Sequence, residues 1–270
     1  MENYIYHYTG LEALIGIVSS DPNRLTFWGS RYDCMNDPLD YQFARNRLHP
    51  HMMAAVNELA DELKYTPTEK EEIETTPYIL SFSKKKDDFL MWRMYKAKVA
   101  LVLERSYFEK TTQNSAFIEC EYVNDNDNDI RHSFLKIDKK IRGCSVIAAH
   151  VDRISTFIKE KSFEPEDEIR FATWIYYDNN GCQRMFAEFN DNCDNISDEI
   201  KSRINGDGKI ILYKTFHFDK KALKGIIVHS YSQLEFESIQ NTLRTILLNK
   251  SYNSDVCNNI TNTNAYPFFT

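Results

Sequence analysis

Glycine and proline are scarce, eight and seven in 270 residues, and no Gly/Ser or proline-rich linker divides the chain. One domain is therefore expected over residues 1–248, followed by an Asn/Ser/Thr-rich polar tail over 249–270 that reads as loosely packed. Long apolar runs are missing too. Runs such as Val99–Leu103 and Ile226–Val228 fall far short of the roughly 18 residues a membrane-spanning helix needs. The opening MENYIYHYTG has no basic stretch followed by an apolar one, so no secretory leader is expected, and the chain reads as cytoplasmic with no membrane partner. Six cysteines are present without a CxxC pair, which predicts reduced, structural thiols and no cysteine-rich zinc site. Phosphate-loop, dinucleotide-fingerprint, zincin and hydrolase-elbow motifs are all lacking. The pair His49 and His51 flanks Pro50 with no third ligand in view, and no metal is expected.

What is there belongs to a globular chain: 42% hydrophobic, 13% aromatic and 27% charged residues, with mean hydropathy −0.52. The net charge of −7 opposes non-specific nucleic-acid binding over the whole surface, leaving local basic patches such as Lys84–Lys86, with Arg93, and Lys139-Lys140-Ile141-Arg142.

Periodicity predicts a mixed order of elements. Asn3–Thr9 alternates as a strand, and Gly10–Ser19 reads as a short helix capped by Thr9 that buries Leu11, Leu14, Ile15 and Val18. Leu25–Trp28 and Pro77–Ser83 read as strands, with a turn at Asn36–Pro38 and a helical stretch Leu39–Tyr65 broken at Pro50. Asp87–Tyr95 reads as a helix, and Lys98–Glu104 and Ala116–Val123 as apolar or alternating strands after it. A second loop spans Asn124–Asp129. Val146–Lys161 has helical spacing, Glu166–Tyr176 is strand-like, Lys209–Tyr213 and Gly225–His229 are further strands, and Gln233–Leu248 is a closing helix. Strands and helices mixed without strict alternation predict an α+β fold.

Three segments hold residues suited to chemistry, though each alone reads as ordinary structure. In Tyr6-His7-Tyr8-Thr9, strand alternation sets His7 and Thr9 on one face and the tyrosines on the other. Ser81-Phe82-Ser83 ends a strand and precedes an amphipathic helix containing Trp92 and Tyr95. In Glu166-Asp167-Glu168-Ile169-Arg170, a strand beginning at Glu166 would put two carboxylates about 7 Å apart on one face. Arg170 comes next in line and favours the charged form of Glu168. Such a pair suits ribose hydroxyls or a cationic sugar.

Taken in order, Tyr6–Thr9, Asn36–Pro38, Ser81–Ser83, Met91–Tyr95 and Glu166–Arg170 resemble the YHYT, NDP, SFS, MWxxY and ExExR motifs of a widespread bacterial family formerly of unknown function. The motif order is similar to that of the ADP-ribosyltransferase superfamily, over roughly residues 3–235. The resemblance implies a split β-sheet core with peripheral helices. It also implies NAD as substrate, a macromolecular acceptor (RNA, DNA or protein), and a toxin or anti-phage role with an antitoxin partner. By the same resemblance His7 orients the NAD ribose and phosphate region, and Thr9 is the small hydroxyl residue beside it. Ser81 and Ser83 brace the pocket and the catalytic carboxylate. Glu168 holds a ribose hydroxyl and stabilises the developing cation, Glu166 activates the acceptor, and Arg170 joins the NAD-binding set. Tyr8, Trp92 and Tyr95 would be the aromatic walls around nicotinamide. His7 together with Ser-x-Ser and E-x-E mixes two branches of the superfamily, so the acceptor chemistry is inherited from neither. A nucleotide-binding sensor without turnover, and a glycosidase- or nuclease-type hydrolase, are the alternatives.

Overall fold

The computed structural model describes residues 3–35, 40–47, 74–109, 115–124, 126–141, 147–177, 183–184 and 199–263. Asn36–Pro38, His49, His51, most of the stretch expected to be helical over 39–65, and Tyr266–Phe269 lie outside them. In chain order the elements are β1 (Tyr4–Thr9), α1 (Leu11–Ser19), β2 (Arg24–Arg31), α2 (residues 40–47), β3 (Glu74–Ser83), α3 (Phe89–Tyr95), β4 (Val99–Glu104), β5 (Ser115–Glu119) and β6 (Glu121–Val123). There follow α4 (Asp127–Asp138), α5 (Ile147–Ser155), β7 (Ile158–Glu160), β8 (Glu168–Tyr177), β9 (Gln183–Arg184), β10 (Lys201–Ile204), β11 (Ile210–Asp219), β12 (Leu223–Val228), α6 (Gln233–Asn249), α7 (Ser254–Asn258) and β13 (Ile260–Asn262). The fold is α+β, as the mixed pattern predicts. None of the helices described is long and apolar enough to cross a membrane.

Eleven strands form one sheet, antiparallel except where β13 joins β12, and β6 pairs with β7 as a separate parallel ladder. The sheet forks at β3. Along one edge β3 pairs with β8 over ten registered positions, from Glu74↔Tyr177 to Ser83↔Glu168. Along its other edge two strands share it: β2 takes Ile79 and Tyr78 through Ser30 and Arg31, and β1 takes Ser83 through Tyr6. Between those contacts the edge of β3 opens. Beyond the fork, β1 continues to β4, β12 and β13, and β2 continues to β11 and β10.

Alternation along the strands sends side chains to two cores. Leu80, Phe82, Ile169 and Phe171 join Leu14 and Val18 of α1 and Phe236, Leu243 and Leu247 of α6 in the larger one. Ile79, Ala172 and Trp174 point the other way, to Ile130 and Ile137 of α4 and Val151 and Ile154 of α5. Phenylalanine rings pack the larger core: Phe27 meets Phe82, Phe108 and Phe218, and Phe108 meets Phe82 and Phe218. Each such ring stabilises the fold by about 1.5–3 kcal/mol on burial. Gly29 is needed here. A Cβ on it would meet the Phe216 ring at 2.0 Å, so only glycine lets that ring lie across β2.

Several local expectations change. Helix α1 is capped by Gly10 rather than Thr9, and it buries Leu14, Ile17 and Val18 while Ile15 is 41% exposed. The helix is rotated so that its stripe fits the phenylalanine core. The helix expected over 146–161 ends at Ser155, where Ser155 and Thr156 hydroxyls donate back to the Val151 and Asp152 carbonyls, and residues 158–160 become β7. Ala116–Val123 breaks at Cys120 into β5 and β6, which serve different sheets. Where a loop was expected over 124–129, Asn126 caps α4 by accepting from the Asp129 N–H. Residues 250–263, expected to be loosely packed, bury Tyr252, Val256, Cys257 and Ile260 and add β13 to the sheet.

Candidate functional site

A cleft of about 510 Å³ occupies the fork between β1, β2 and β3, with Ala13 and Ile17 of α1 beneath it. His7, Tyr8, Thr9, Ser81, Ser83, Tyr95 and Glu168 all line it, although they come from four separate stretches of sequence. Where β1 leaves β3 after the Tyr6↔Ser83 pair, the His7 imidazole enters the opening, 3.0 Å from the Ser81 carbonyl through Nδ1. A carbonyl only accepts, so Nδ1 carries the proton and Nε2 keeps a lone pair. Burial pulls the His7 pKa below its ordinary value more than that hydrogen bond raises it, so the ring is neutral at pH 7. Its edge-on neighbours are Phe27 and Phe82, on the larger-core face. Register puts Tyr6, Ser83 and Glu168 on the opposite face. His7 and Glu168 therefore border one cleft from the two faces of the sheet.

Ser83 and Ser81 differ in what they do. The buried Ser83 hydroxyl donates to the Glu166 carbonyl at 2.7 Å and accepts from the Lys85 N–H, locking β3 to the turn that precedes β8. Ser81 is half-buried and borders the cleft. Tyr95 also borders it, and burial together with the charges of Glu168 and Glu166 pushes its phenol pKa up.

The E-x-E segment departs from the expected strand. Glu166 ends a 3-10 turn, Asp167 is left-handed with φ 45°, and β8 begins only at Glu168. Aspartate is among the few side chains that accept this conformation readily. The kink swings both glutamates onto one ammonium: Lys159 Nζ lies 2.6 Å from Glu166 and 2.7 Å from Glu168. Lys159 also pairs with Asp40 of α2 at 3.2 Å. Arg170 Nε donates to Glu168 at 2.9 Å and Nη1 to the Thr156 carbonyl at 2.7 Å, while Nη2 pairs with Asp40.

All five charged groups are buried. Burial pushes the Glu168 carboxyl up, but Arg170 and Lys159 outweigh it and hold the group at about 2. For Glu166 burial wins over Lys159, and its pKa is raised. Glu168 is thus an ionised carboxylate at the inner end of the cleft, only 4% exposed, with both oxygens engaged.

Five of the residues singled out in the sequence do not offer themselves to a ligand in the expected way. Glu166 and Arg170 lie behind the cleft wall in the ion cluster, because the kink at Asp167 turns one inward and Asp40 holds the other. Trp92 is 1% exposed, donates from Nε1 to Asp87 and packs edge-on against Tyr8, so it is core rather than a stacking wall. The Tyr8 hydroxyl donates to the Lys85 carbonyl and accepts from the Asp88 N–H, which fixes the loop entering α3. Lys84, expected to contribute to a basic groove, is turned onto Asp167 at 2.8 Å and Glu119 at 3.3 Å.

Sequence reasoning missed Lys159 and Asp40, and also Trp28, Arg203 and Lys209 at the outer end of the cleft. Asp40 carried one signal, its place just after Asn36–Pro38. Lys159 carried none, since it sits in an amphipathic stretch that reads as helix. Cys34, Cys120 and Cys257 are free thiols. In comparisons with known protein families, curated proteins and solved structures, the chain matches none.

Proposed function

We propose that the cleft accepts NAD and that the chain is an ADP-ribosyltransferase that modifies a macromolecular acceptor, protein or nucleic acid. The observation that carries this reading is the fork of the sheet: His7 bridges to Ser81 in the opening, and ionised Glu168 stands at its inner end. In such a reaction the bond between nicotinamide and ribose breaks, its electron pair leaves with nicotinamide, and positive charge grows on the sugar. A fixed carboxylate in a site shielded from water lowers the energy of that charge. In this reading His7 Nε2, which keeps a lone pair, accepts a hydrogen bond from a ribose hydroxyl. Ser83 holds the Glu166 backbone and so keeps the turn before Glu168 in place. The toxin or anti-phage role, with an antitoxin partner, rests on the motif resemblance.

A second reading is a nucleotide-binding module without turnover. It is favoured by the engagement of both Glu168 oxygens by Lys159 and Arg170, which leaves less negative charge for a sugar cation. Incubation with labelled NAD and cell lysate, followed by separate protease and nuclease digestion, separates the two. Transfer of label that Glu168→Gln lowers by 10²–10³-fold, about 3–4 kcal/mol, with most NAD affinity kept, supports the transferase. Binding of NAD with neither transfer nor nicotinamide release supports the module. No binding at all refutes both.

A further inference from the structure

At the outer end of the cleft, the hairpin of β10 and β11 presents Arg203, Asn205, Asp207 and Lys209. Arg203 pairs with Ile211, whose strand carries Tyr213 and Thr215 on the same face. Thr215 registers with Trp28, so arginine and indole share that face. The guanidinium lies over the Trp28 ring with its carbon 5.2 Å from the centroid, and Tyr213 flanks the indole at 5.3 Å. Its Nε is shielded from solvent and makes no hydrogen bond, and no carboxylate among the described residues pairs with it.

A guanidinium that is held over an indole, partly dried and without an anion is prepared for one. The indole supports its orientation and leaves its donor edge unused. The neighbouring charges agree. Lys209 borders the same end, and Asp207, on the turn, is the opposing charge. Asp33 is already neutralised by Arg31, whose Nε and Nη2 lie 2.6 Å and 2.7 Å from its carboxylate oxygens. In a chain of net charge −7 this is a locally cationic mouth on a cleft.

We propose that Arg203, seated on Trp28, binds a phosphate group at the outer end of the cleft, and that it receives the diphosphate of a nucleoside diphosphate ligand. The second half rests on reading the cleft as an NAD site; the phosphate seat itself does not. Planar bidentate donation fits a phosphate better than the point charge of a lysine.

Calorimetric titration of the full chain with inorganic pyrophosphate, ADP-ribose and adenosine tests it, using wild type, Arg203→Ala and Arg203→Lys. Wild type is expected to bind pyrophosphate and ADP-ribose. Arg203→Ala should weaken both by tenfold or more and leave adenosine unchanged, and Arg203→Lys should weaken both by severalfold while keeping the thermal midpoint. Should Arg203→Ala fail to fold, Arg203→Lys carries the test alone. Wild type that binds neither phosphate ligand, or variants that bind both as wild type does, would overturn the proposal. Pyrophosphate bound through Arg203 with no affinity for ADP-ribose or NAD would keep the phosphate seat and remove the NAD reading.

Discussion

Lys159 holds Glu168 at 2.7 Å, and with the same nitrogen it holds Glu166 at 2.6 Å. One ammonium thus ties the first residue of β8 to the turn before it, and through Asp40 to α2. Replacing it would leave three buried carboxylates facing Arg170 alone. Breaking a buried ion pair by removing one partner typically costs about 3–5 kcal/mol, because the partner charge stays buried. Lys159→Met, which keeps most of the unbranched side chain and removes its charge, should therefore lower unfolding stability by that amount in urea titration. A loss within about 0.5 kcal/mol, the range of an ordinary surface change, would show that the cluster does not hold the fold.

Acid should act through the same cluster. The Glu168 carboxyl is at about 2 in the folded chain against a usual 4.5. Its contribution is complete above pH 4.5 and is lost as pH falls from there to about 2, on the order of 3 kcal/mol. Glu166 is shifted the other way by burial, so its protonation favours the folded chain as pH falls through its folded value, above 4.5. His7, whose pKa is lowered, loses stabilisation as pH falls through its folded value, below 6.5. Stability measured against pH should fall most steeply below 4.5, and Glu168→Gln should flatten that limb. An unchanged limb in the variant would assign the acid sensitivity to other groups.

The two serines of the Ser-x-Ser strand end should separate in experiment. Ser83→Ala leaves the buried Glu166 carbonyl without its donor, a loss of about 1–3 kcal/mol. Ser81→Ala removes a hydroxyl from a residue that borders the cleft and should stay within about 0.5 kcal/mol of wild type in stability while weakening ligand binding. Thermal melts with calorimetric binding on both variants check this, and equal melting losses would show that the division of roles is wrong.

Much of the fold was legible because it depends on local pattern. Alternation in Tyr4–Thr9 and Pro77–Ser83 marked β1 and most of β3, and apolar spacing over Gln233–Leu248 marked α6 to within one residue. Helix α5 and the strand after it were merged, because Val151, Ile154 and Ile158 fit a helical stripe in one dimension. Only the pairing of β7 with β6 decides that Ile158 belongs to a sheet. Ile15 was misplaced for a similar reason. A nine-residue helix fits more than one stripe, and the phenylalanine core selects among them.

For the site, the residue types could be read from the chain: a histidine within a strand, Ser-x-Ser at a strand end, and two glutamates ahead of an arginine. The sequence also determined that Glu168 and Arg170 would share a face, since a two-residue step on a strand leaves no other choice. The tertiary structure decided what those types became. Coulomb energy in a buried space depends on separation in space and not along the chain, and Lys159 and Asp40, 9 and 128 residues from Glu168 in the chain, reach the cluster only because the turn at Asp167 and helix α2 place them there. The cleft itself exists because β1 and β2 diverge along one edge of β3, which is a property of strand pairing across distant segments and leaves no trace in any one of them.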